Sequence, residues 1–126
     1  MTFVDDLRCQ KLLVDPVEQV SLPAFSVPAT RLTVRGGNLR EPTELLSLNY
    51  DDTDLGRDAR QVAEAEARRI SPDGTRSSSP SGTVRIYYTG PPHLFRRERV
   101  IVIYAGSDPE MIATLRDLLG AQFAGS

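Results

Sequence analysis

Residues 99–120 restrict the possible folds of this chain more strongly than any other stretch. They begin with a continuous apolar run, Val100 to Tyr104, and β-branched residues closed by a tyrosine are typical of a strand buried within a sheet. Ser107 and Asp108 are both good N-caps for a following helix, and Gly120 suits its end. Apolar residues recur between these ends at helical spacing. We therefore expect the helix to fold back on the strand, with each large buried side chain contributing about 1.5–3 kcal/mol.

The same order of elements occurs twice in the chain. An alternating strand at 31–35, a Gly-Gly-Asn turn, a second strand at 44–50 and a helix at 54–70 form the first unit. Strands at 82–89 and 100–104, joined by a loop into a long hairpin, and the helix after them form the second. This plan predicts a single α+β domain: an antiparallel sheet of four or more strands built from two ββα units, with helices packed on one face and an extra N-terminal helix.

The segments outside the two units are less regular. The N-terminal helix is expected at 2–10, and residues 11–20 are predicted to be an extended arm with a turn at Asp15-Pro16. Residues 24–27 lie between two prolines and form at most a short edge strand, since proline cannot donate to a central ladder. The serine-rich stretch 75–82 is predicted to be a mobile surface loop.

Length and charge narrow the classes of function. A chain of 126 residues is expected to form one domain, residues 1–126. Its 15 basic and 17 acidic residues give a net charge of −2, which argues against a dedicated nucleic-acid binder, because such proteins carry a basic excess. No apolar run approaches the roughly 20 residues of a membrane-spanning helix. As printed, the chain is expected to be cytoplasmic, and an envelope or secreted location stays open if a leader has been removed.

Metal sites, cofactor sites and disulfides are not expected. Cys9 is the single cysteine, so no intramolecular disulfide can form, and we interpret it as a small half-buried helix residue. One cysteine and one histidine cannot provide a zinc-site spacing. The acids at 51–54 lack the spacing of a calcium loop and are interpreted as charges at a helix start, where the helix dipole favours them.

Short motifs spread over nearly the full length resemble one group of proteins. They are FVDxLR at Phe3–Arg8, FSVP at Phe25–Pro28, ISPDG at Ile70–Gly74, PPH followed by RVIVIYAGxDP between Pro91 and Pro109, and LGAQFAG at Leu119–Gly125. These features resemble a group of small uncharacterised bacterial proteins whose members often begin with a lipoprotein-type leader. The present chain departs from the group in lacking that leader. The resemblance implies no catalytic residues, because the group has no established activity.

The side chains most suited to catalysis or ligand binding lie around the loop and hairpin predicted at 90–99. His93 is the only histidine. To act as a general base it would need an orienting acid and a nucleophile, and the alternative is a loop residue that bonds locally. With Arg85 on the partner strand, three neighbouring arginines predict an anion or carboxylate site, because a guanidinium presents a planar fork. These three are Arg96, Arg97 and Arg99. Alternatively, arginines on an edge-proximal strand prevent strand-to-strand aggregation.

We therefore predict a non-catalytic binding or accessory domain, which would hold a protein partner or a small anion. Its surface would be the 90–99 hairpin or the open face of the sheet. The alternation points the following residues toward that face: Arg31, Thr33, Arg35, Arg85 and Tyr87. The alternatives are a structural subunit of a larger bacterial assembly, and a small enzyme that uses His93 with Arg99 and a strand-end acid such as Asp51. No residue is assigned a catalytic role.

Overall fold

A computed structural model of this chain describes residues 3–22, 24–37, 39, 41–51, 58–79, 82–88 and 90–125. The helices in this part of the chain are α1 (Phe3–Cys9), α2 (Ala59–Arg68) and α3 (Pro109–Leu119). The strands are β1 (Leu12–Val20), β2 (Ala29–Gly36), β3 (Thr43–Asn49), β4 (Arg76–Ser79), β5 (Gly82–Arg85), β6 (Pro92–Arg97), β7 (Val100–Ala105) and β8 (Ala124–Gly125). None of these helices is long and apolar enough to cross a membrane.

Six strands form one antiparallel sheet in the order β1-β2-β3-β7-β6-β8, and β4 pairs with β5 in a separate two-stranded sheet. The prediction of an α+β fold with an antiparallel sheet of four or more strands and an N-terminal helix is confirmed. Both ββα units are present, since β2 and β3 precede α2, and β6 and β7 precede α3. Strand β7 lies inside the sheet between β3 and β6, as its continuous apolar sequence indicates.

The ends of α3 follow the signals in the sequence. Of the two candidate caps, Asp108 has the role, because its side chain accepts a hydrogen bond from the backbone N–H of Glu110 at 3.0 Å. Pro109 occupies the first turn, where its missing N–H leaves no gap in the helix. Gly120 ends the helix with a φ of 90°, in the left-handed region that glycine adopts without strain.

The strand that pairs with β7 in the second unit lies later in the chain than predicted. Residues 82–85 pair with 76–79, and β6 pairs with β7, with Pro92 opposite Ala105. The predicted hairpin between 82–89 and 100–104 is therefore wrong. Pro92 occupies the first position of β6, which proline tolerates. The turn after β6 is formed by Glu98 and Arg99 and contains no glycine, although Glu98 has a φ of 53°.

Helices cover both faces of the sheet. Ile101 and Ile103 share a buried cluster with residues of α2, whereas Val102 and Tyr104 share a second cluster with residues of α1 and α3. Successive residues of a strand point to opposite faces, so α2 lies on one face, and α1 and α3 lie on the other. This differs from the single covered face that the repeated plan predicted. The reason is that β6 and β7 are apolar on both faces, and both faces must be covered.

Four other segments of the chain differ in detail from the structure that the sequence predicted. The arm at 11–20 is the edge strand β1, whose register shifts between Pro16 and Glu18. The helix predicted at 54–70 is observed at 59–68, and the acids at 52–54 lie outside the described residues. The stretch 75–82 contains β4 and the start of β5, and its mobility stays a prediction. Residues 24–27 form no strand, but Phe25 and Val27 enter the core.

Candidate functional site

His93 is buried inside the fold rather than displayed on a loop. The side chain is 8% exposed, with Nδ1 2.8 Å from Oε1 of Gln122 and Nε2 3.0 Å from the carbonyl oxygen of Gly106. The ring stacks on Tyr104 with a centroid separation of 5.9 Å. Nε2 therefore binds the loop after β7, and Nδ1 binds the segment before β8. This geometry favours the interpretation of His93 as a residue that bonds locally.

The partners of His93 are a backbone carbonyl and an amide side chain. The carbonyl of Gly106 can only accept, so Nε2 donates to it. A histidine that acts as a general base is oriented by an acid. His93 is not oriented in this way, because neither of its ring nitrogens faces a carboxylate.

The four candidate arginines do not converge on one site. Arg97 donates to the carbonyl oxygen of Leu118 at 2.8 Å, at the C-terminal end of α3. Arg96 directly precedes Arg97 in β6 and therefore points to the opposite face of the sheet. Arg99 lies exposed in the turn after β6. Arg85 lies on β5, opposite Arg76, and β5 pairs with neither β6 nor β7.

The helices of the described residues leave part of one sheet face uncovered. On β2, Leu32 and Val34 are buried on the side of α1 and α3, so the residues between and beside them point to the α2 side. There α2 covers the end of the sheet near Ala29 and Leu48. The uncovered remainder is called the open sheet face, and the strand register assigns to it Leu13, Asp15, Glu18, Arg31, Thr33, Arg35, Glu44 and Leu46.

Most charges on the open sheet face are paired. Arg31 forms an ion pair with Glu18 at 2.6 Å, and Arg35 lies 3.9 Å from Asp15. Glu44 is exposed and forms no ion pair with any other described residue. The surface is therefore nearly neutral where β1 meets β2 and carries one uncompensated carboxylate on β3.

A groove of about 240 Å³ lies beside this face. We call it the tyrosine groove, and it is lined by Val20, Leu22, Arg31, Glu44, Leu45, Leu46, Tyr87, Tyr88, Ile103 and Ala105. Tyr87 is 81% exposed. Tyr88 is fixed, because its hydroxyl donates to the carbonyl oxygen of Gly74 at 2.6 Å. Burial raises the pKa of Tyr88 to about 12, and the carboxylate of Asp73 adds to this, so Tyr88 stays a neutral donor in ordinary buffers.

A second polar cluster centres on Glu66, which is only 4% exposed. Its Oε1 accepts hydrogen bonds from the hydroxyl of Tyr50 and the backbone N–H of Ser26, each at 2.8 Å, and its Oε2 accepts one from the Ser26 hydroxyl. Burial and the nearby carboxylate raise the pKa of Tyr50 well above its ordinary value. Sequence reasoning missed this cluster, although Glu66 falls on the apolar stripe of its helix, four residues after Val62.

The cluster around Glu66 connects parts of the fold. It joins α2 to the segment before β2 and to the residue that follows β3. Polar side chains that include Asp58, Gln61 and Arg69 line a cavity of about 290 Å³ next to it. The hydroxyl of Ser26 donates to the carboxylate of Glu66 and not to an imidazole, so this pair differs from the Ser-His arrangement of a catalytic triad.

Metal ligands are not gathered in the part of the chain that the structure describes, where no group of three or more His, Cys, Asp or Glu side chains could hold an ion. Cys9 is exposed and is a free thiol.

Comparison with known protein families, with curated proteins and with solved structures gives no match for this chain. The open sheet face and the tyrosine groove are therefore the features of the molecule that bear on its function.

Proposed function

We propose that this protein is a non-catalytic binding module that holds a protein partner on its open sheet face. The observation that carries the proposal is Tyr87, whose large side chain is 81% exposed beside a groove lined mainly by apolar side chains. Tyrosine and arginine are enriched at protein interfaces, where an aromatic ring supplies apolar contact and a polar tip. Tyr87 and Arg31 line the same groove.

The size and charge of this surface favour a protein over a small anion. The groove, at about 240 Å³, is smaller than the roughly 300–1,000 Å³ of sites that enclose a small molecule. The arginines of the open sheet face lie beside the carboxylates of Glu18 and Asp15, and these negative charges weaken the attraction of the surface for an anion. A broad partner surface can cover both the groove and these ion pairs.

The geometry gives less support to an enzyme. The ring nitrogens of His93 face Gln122 and Gly106 rather than Asp51 or Arg99. The buried side-chain nitrogens and oxygens in the described residues all have hydrogen-bond partners. A catalytic side chain needs a donor or acceptor atom directed at the substrate. The buried polar side chains of the described residues instead use these atoms in hydrogen bonds within the fold.

A second candidate, a structural subunit of a larger assembly, draws support from the edge strand β1. Leu13 and Val17 are each 57% exposed there, and an unpaired edge can template pairing with another chain. Pro16 and the adjacent register shift count against it, because proline donates no ladder hydrogen bond and a bulge interrupts pairing.

Site-specific photo-crosslinking tests the proposal. A benzophenone amino acid replaces Tyr87 in one variant and Asp117, an exposed residue of α3 on the other face, in a matched control. We expect one protein to be captured from position 87 and not from position 117. The purified partner should then bind Tyr87→Ala roughly thirtyfold more weakly than the wild type, the loss expected for an interface hot spot.

Two results would count against the open sheet face as the binding surface. The first is equal capture from both positions, or no capture from position 87. The second is unchanged affinity for Tyr87→Ala. Phe123→Ala serves as the control for loss of an exposed aromatic ring, since Phe123 lies next to β8, at the far edge of the sheet, and is 36% exposed.

A further inference from the structure

The charges that line the tyrosine groove are unequal. Arg31 is neutralised by Glu18 at 2.6 Å. Glu44 lines the same groove, is exposed, and has no ion-pair partner among the described residues. Among the residues that the structure describes, the groove therefore has one negative charge without an ion-pair partner, and a positively charged group of a partner would complement it.

The uncharged surfaces of the groove fit the same kind of group. Tyr87 and Tyr88 supply two aromatic rings, and the face of an aromatic ring attracts a cation. Leu46 on β3 is half-buried and supplies apolar surface, which suits the methylene stem of a long basic side chain. The volume of about 240 Å³ is appropriate for one such side chain rather than for a larger ligand.

Building on the proposed function, we propose that the protein partner anchors itself in the tyrosine groove with a basic side chain, arginine or lysine. The stem packs on Leu46, the cationic head lies against the tyrosine rings, and Glu44 provides the counter-charge. The proposal identifies the chemistry of the anchor at the surface that the preceding section assigns to partner binding.

Other side chains fit this groove less well. An aliphatic or aromatic anchor would cover Glu44 with apolar atoms and remove water from a carboxylate that gains no partner, which is unfavourable. An acidic anchor would be repelled by Glu44 and would find Arg31 already paired with Glu18. Only a basic head group removes the uncompensated charge and uses the aromatic rings.

Blocked tripeptides test the anchor without the partner itself. Ac-Gly-Arg-Gly-NH2, its lysine analogue, its uncharged citrulline analogue and its glutamate analogue are each titrated into 15N-labelled protein, and amide chemical shifts are followed. We expect the arginine and lysine peptides to shift the amide signals of Leu46, Tyr87 and Tyr88. Their affinity should exceed that of the citrulline peptide by about twofold to fivefold, the range of an exposed cation–π or ion-pair contact.

Two variants assign the effect to the groove. Glu44→Gln should abolish the preference for the charged peptides, because it removes the counter-charge and keeps the shape. Asp117→Asn removes one negative charge from the exposed side of α3 and should leave the preference unchanged. The inference is overturned if the citrulline or glutamate peptide binds as tightly as the arginine peptide, if the shifts lie outside the groove, or if Glu44→Gln has no effect.

The failure of this inference is distinguishable from failure of the proposed function. Partner capture at position 87 together with no preference among the tripeptides rejects the basic anchor and retains the binding surface. A preference for the basic peptides without capture at position 87 retains the groove chemistry and rejects a protein as its occupant.

Discussion

Glu66 is the residue on which the attachment of α2 depends most directly. Its buried carboxylate accepts hydrogen bonds from the backbone and hydroxyl of Ser26 and from the hydroxyl of Tyr50. These donors belong to two other parts of the chain, so one side chain fixes three segments. A buried carboxylate is tolerated only when such donors satisfy it.

We expect Glu66→Gln to lower the free energy of unfolding by about 1–3 kcal/mol. An amide replaces one accepting oxygen by an NH2 group, which then faces the donors of Ser26 or Tyr50. Urea unfolding measures the change. Glu64→Gln is the matched control, since Glu64 pairs with Arg68 at the surface and its loss should cost less than about 0.5 kcal/mol. Equal costs for the two substitutions would contradict the role given to Glu66.

Tyr50 makes the stability of the fold sensitive to alkaline pH. Burial, reinforced by Glu66, raises the pKa of Tyr50 in the folded protein above its ordinary value of 10. The unfolded chain therefore loses the tyrosine proton first, and stability that is fully present below pH 10 is lost as the pH rises above it. Tyr50→Phe should be less stable than the wild type at pH 8, but its stability should decline less steeply above pH 10. Urea unfolding between pH 8 and 11.5 measures both slopes, and parallel declines would refute this.

At the residue scale, the sequence predicted the apolar core better than the polar clusters. The apolar stripe of α2 could be recognised from spacing alone, and a glutamate on that stripe was the signal for a buried carboxylate. Its partners could not be recognised, because Ser26 and Tyr50 lie 40 and 16 residues away in sequence. For His93 the sequence signal pointed to function rather than to structure, because histidine is common in catalytic sites. Its hydrogen bonds to Gln122 and Gly106 give it a structural role.

The C-terminal strand β8 is short, and close contacts hold it to the sheet. It pairs with β6 through Gly125 opposite His93, and the Gly125 N–H donates to the carbonyl oxygen of Pro72 at 2.9 Å. Gly125 has a φ of 112°, and a Cβ at this position would collide with the carbonyl oxygen of Pro92. The close approach of two backbones therefore requires glycine at this position.

Gly125→Ala should detach β8 and lower the free energy of unfolding by about 2–3 kcal/mol, since it adds a backbone collision to the strain of a positive φ. Gly120→Ala is the control, because Gly120 has a φ of 90° but open space around its Cβ position, so it should cost only about 1 kcal/mol. Chemical denaturation compares the two variants. A cost for Gly125→Ala no larger than that for Gly120→Ala would show that the contact with Pro92 is unimportant.

At the element scale, local signals succeeded where they were complete. A cap, a proline in the first turn and a terminal glycine predicted α3, and the continuous apolar run predicted β7. The partner of β7 differs from the predicted one, because β6 begins at a proline within the loop predicted at 90–99 and ends at a turn without glycine. Its buried pair Leu94 and Phe95 shows no alternation, since both faces of β6 are covered, whereas 82–88 has the β-branched and aromatic residues of a strand.

At the scale of the whole molecule, two ββα units share one sheet in which β6 and β7 are covered on both faces. Helix α2 lies on one face, and α1 and α3 lie on the other. The cover on the α2 side ends before it reaches the β1 side of the sheet, which leaves the open sheet face and its paired charges. The sheet thus provides a surface that α2 covers only near Ala29 and Leu48.

The sequence predicted part of this surface. The alternation of β2 predicted that Arg31, Thr33 and Arg35 share one face, and the buried Leu32 and Val34 between them agree with this. The tyrosine groove was not predicted, because it brings together β1, β3, β7 and the residues after β5. This placement depends on how α2 and the β4-β5 pair pack against the sheet. A local sequence pattern does not predict such long-range packing.

The most direct test of partner binding on the open sheet face is a chemical-shift map of the 15N-labelled protein with the partner captured at position 87. We predict that the shifted amides lie in β2 and β3 and at residues 86–88, with the surface around Arg97 and Arg99 unaffected. Shifts confined to residues 96–99 or to α3 would contradict the account and would place the interface on the hairpin turn or on the opposite face of the sheet.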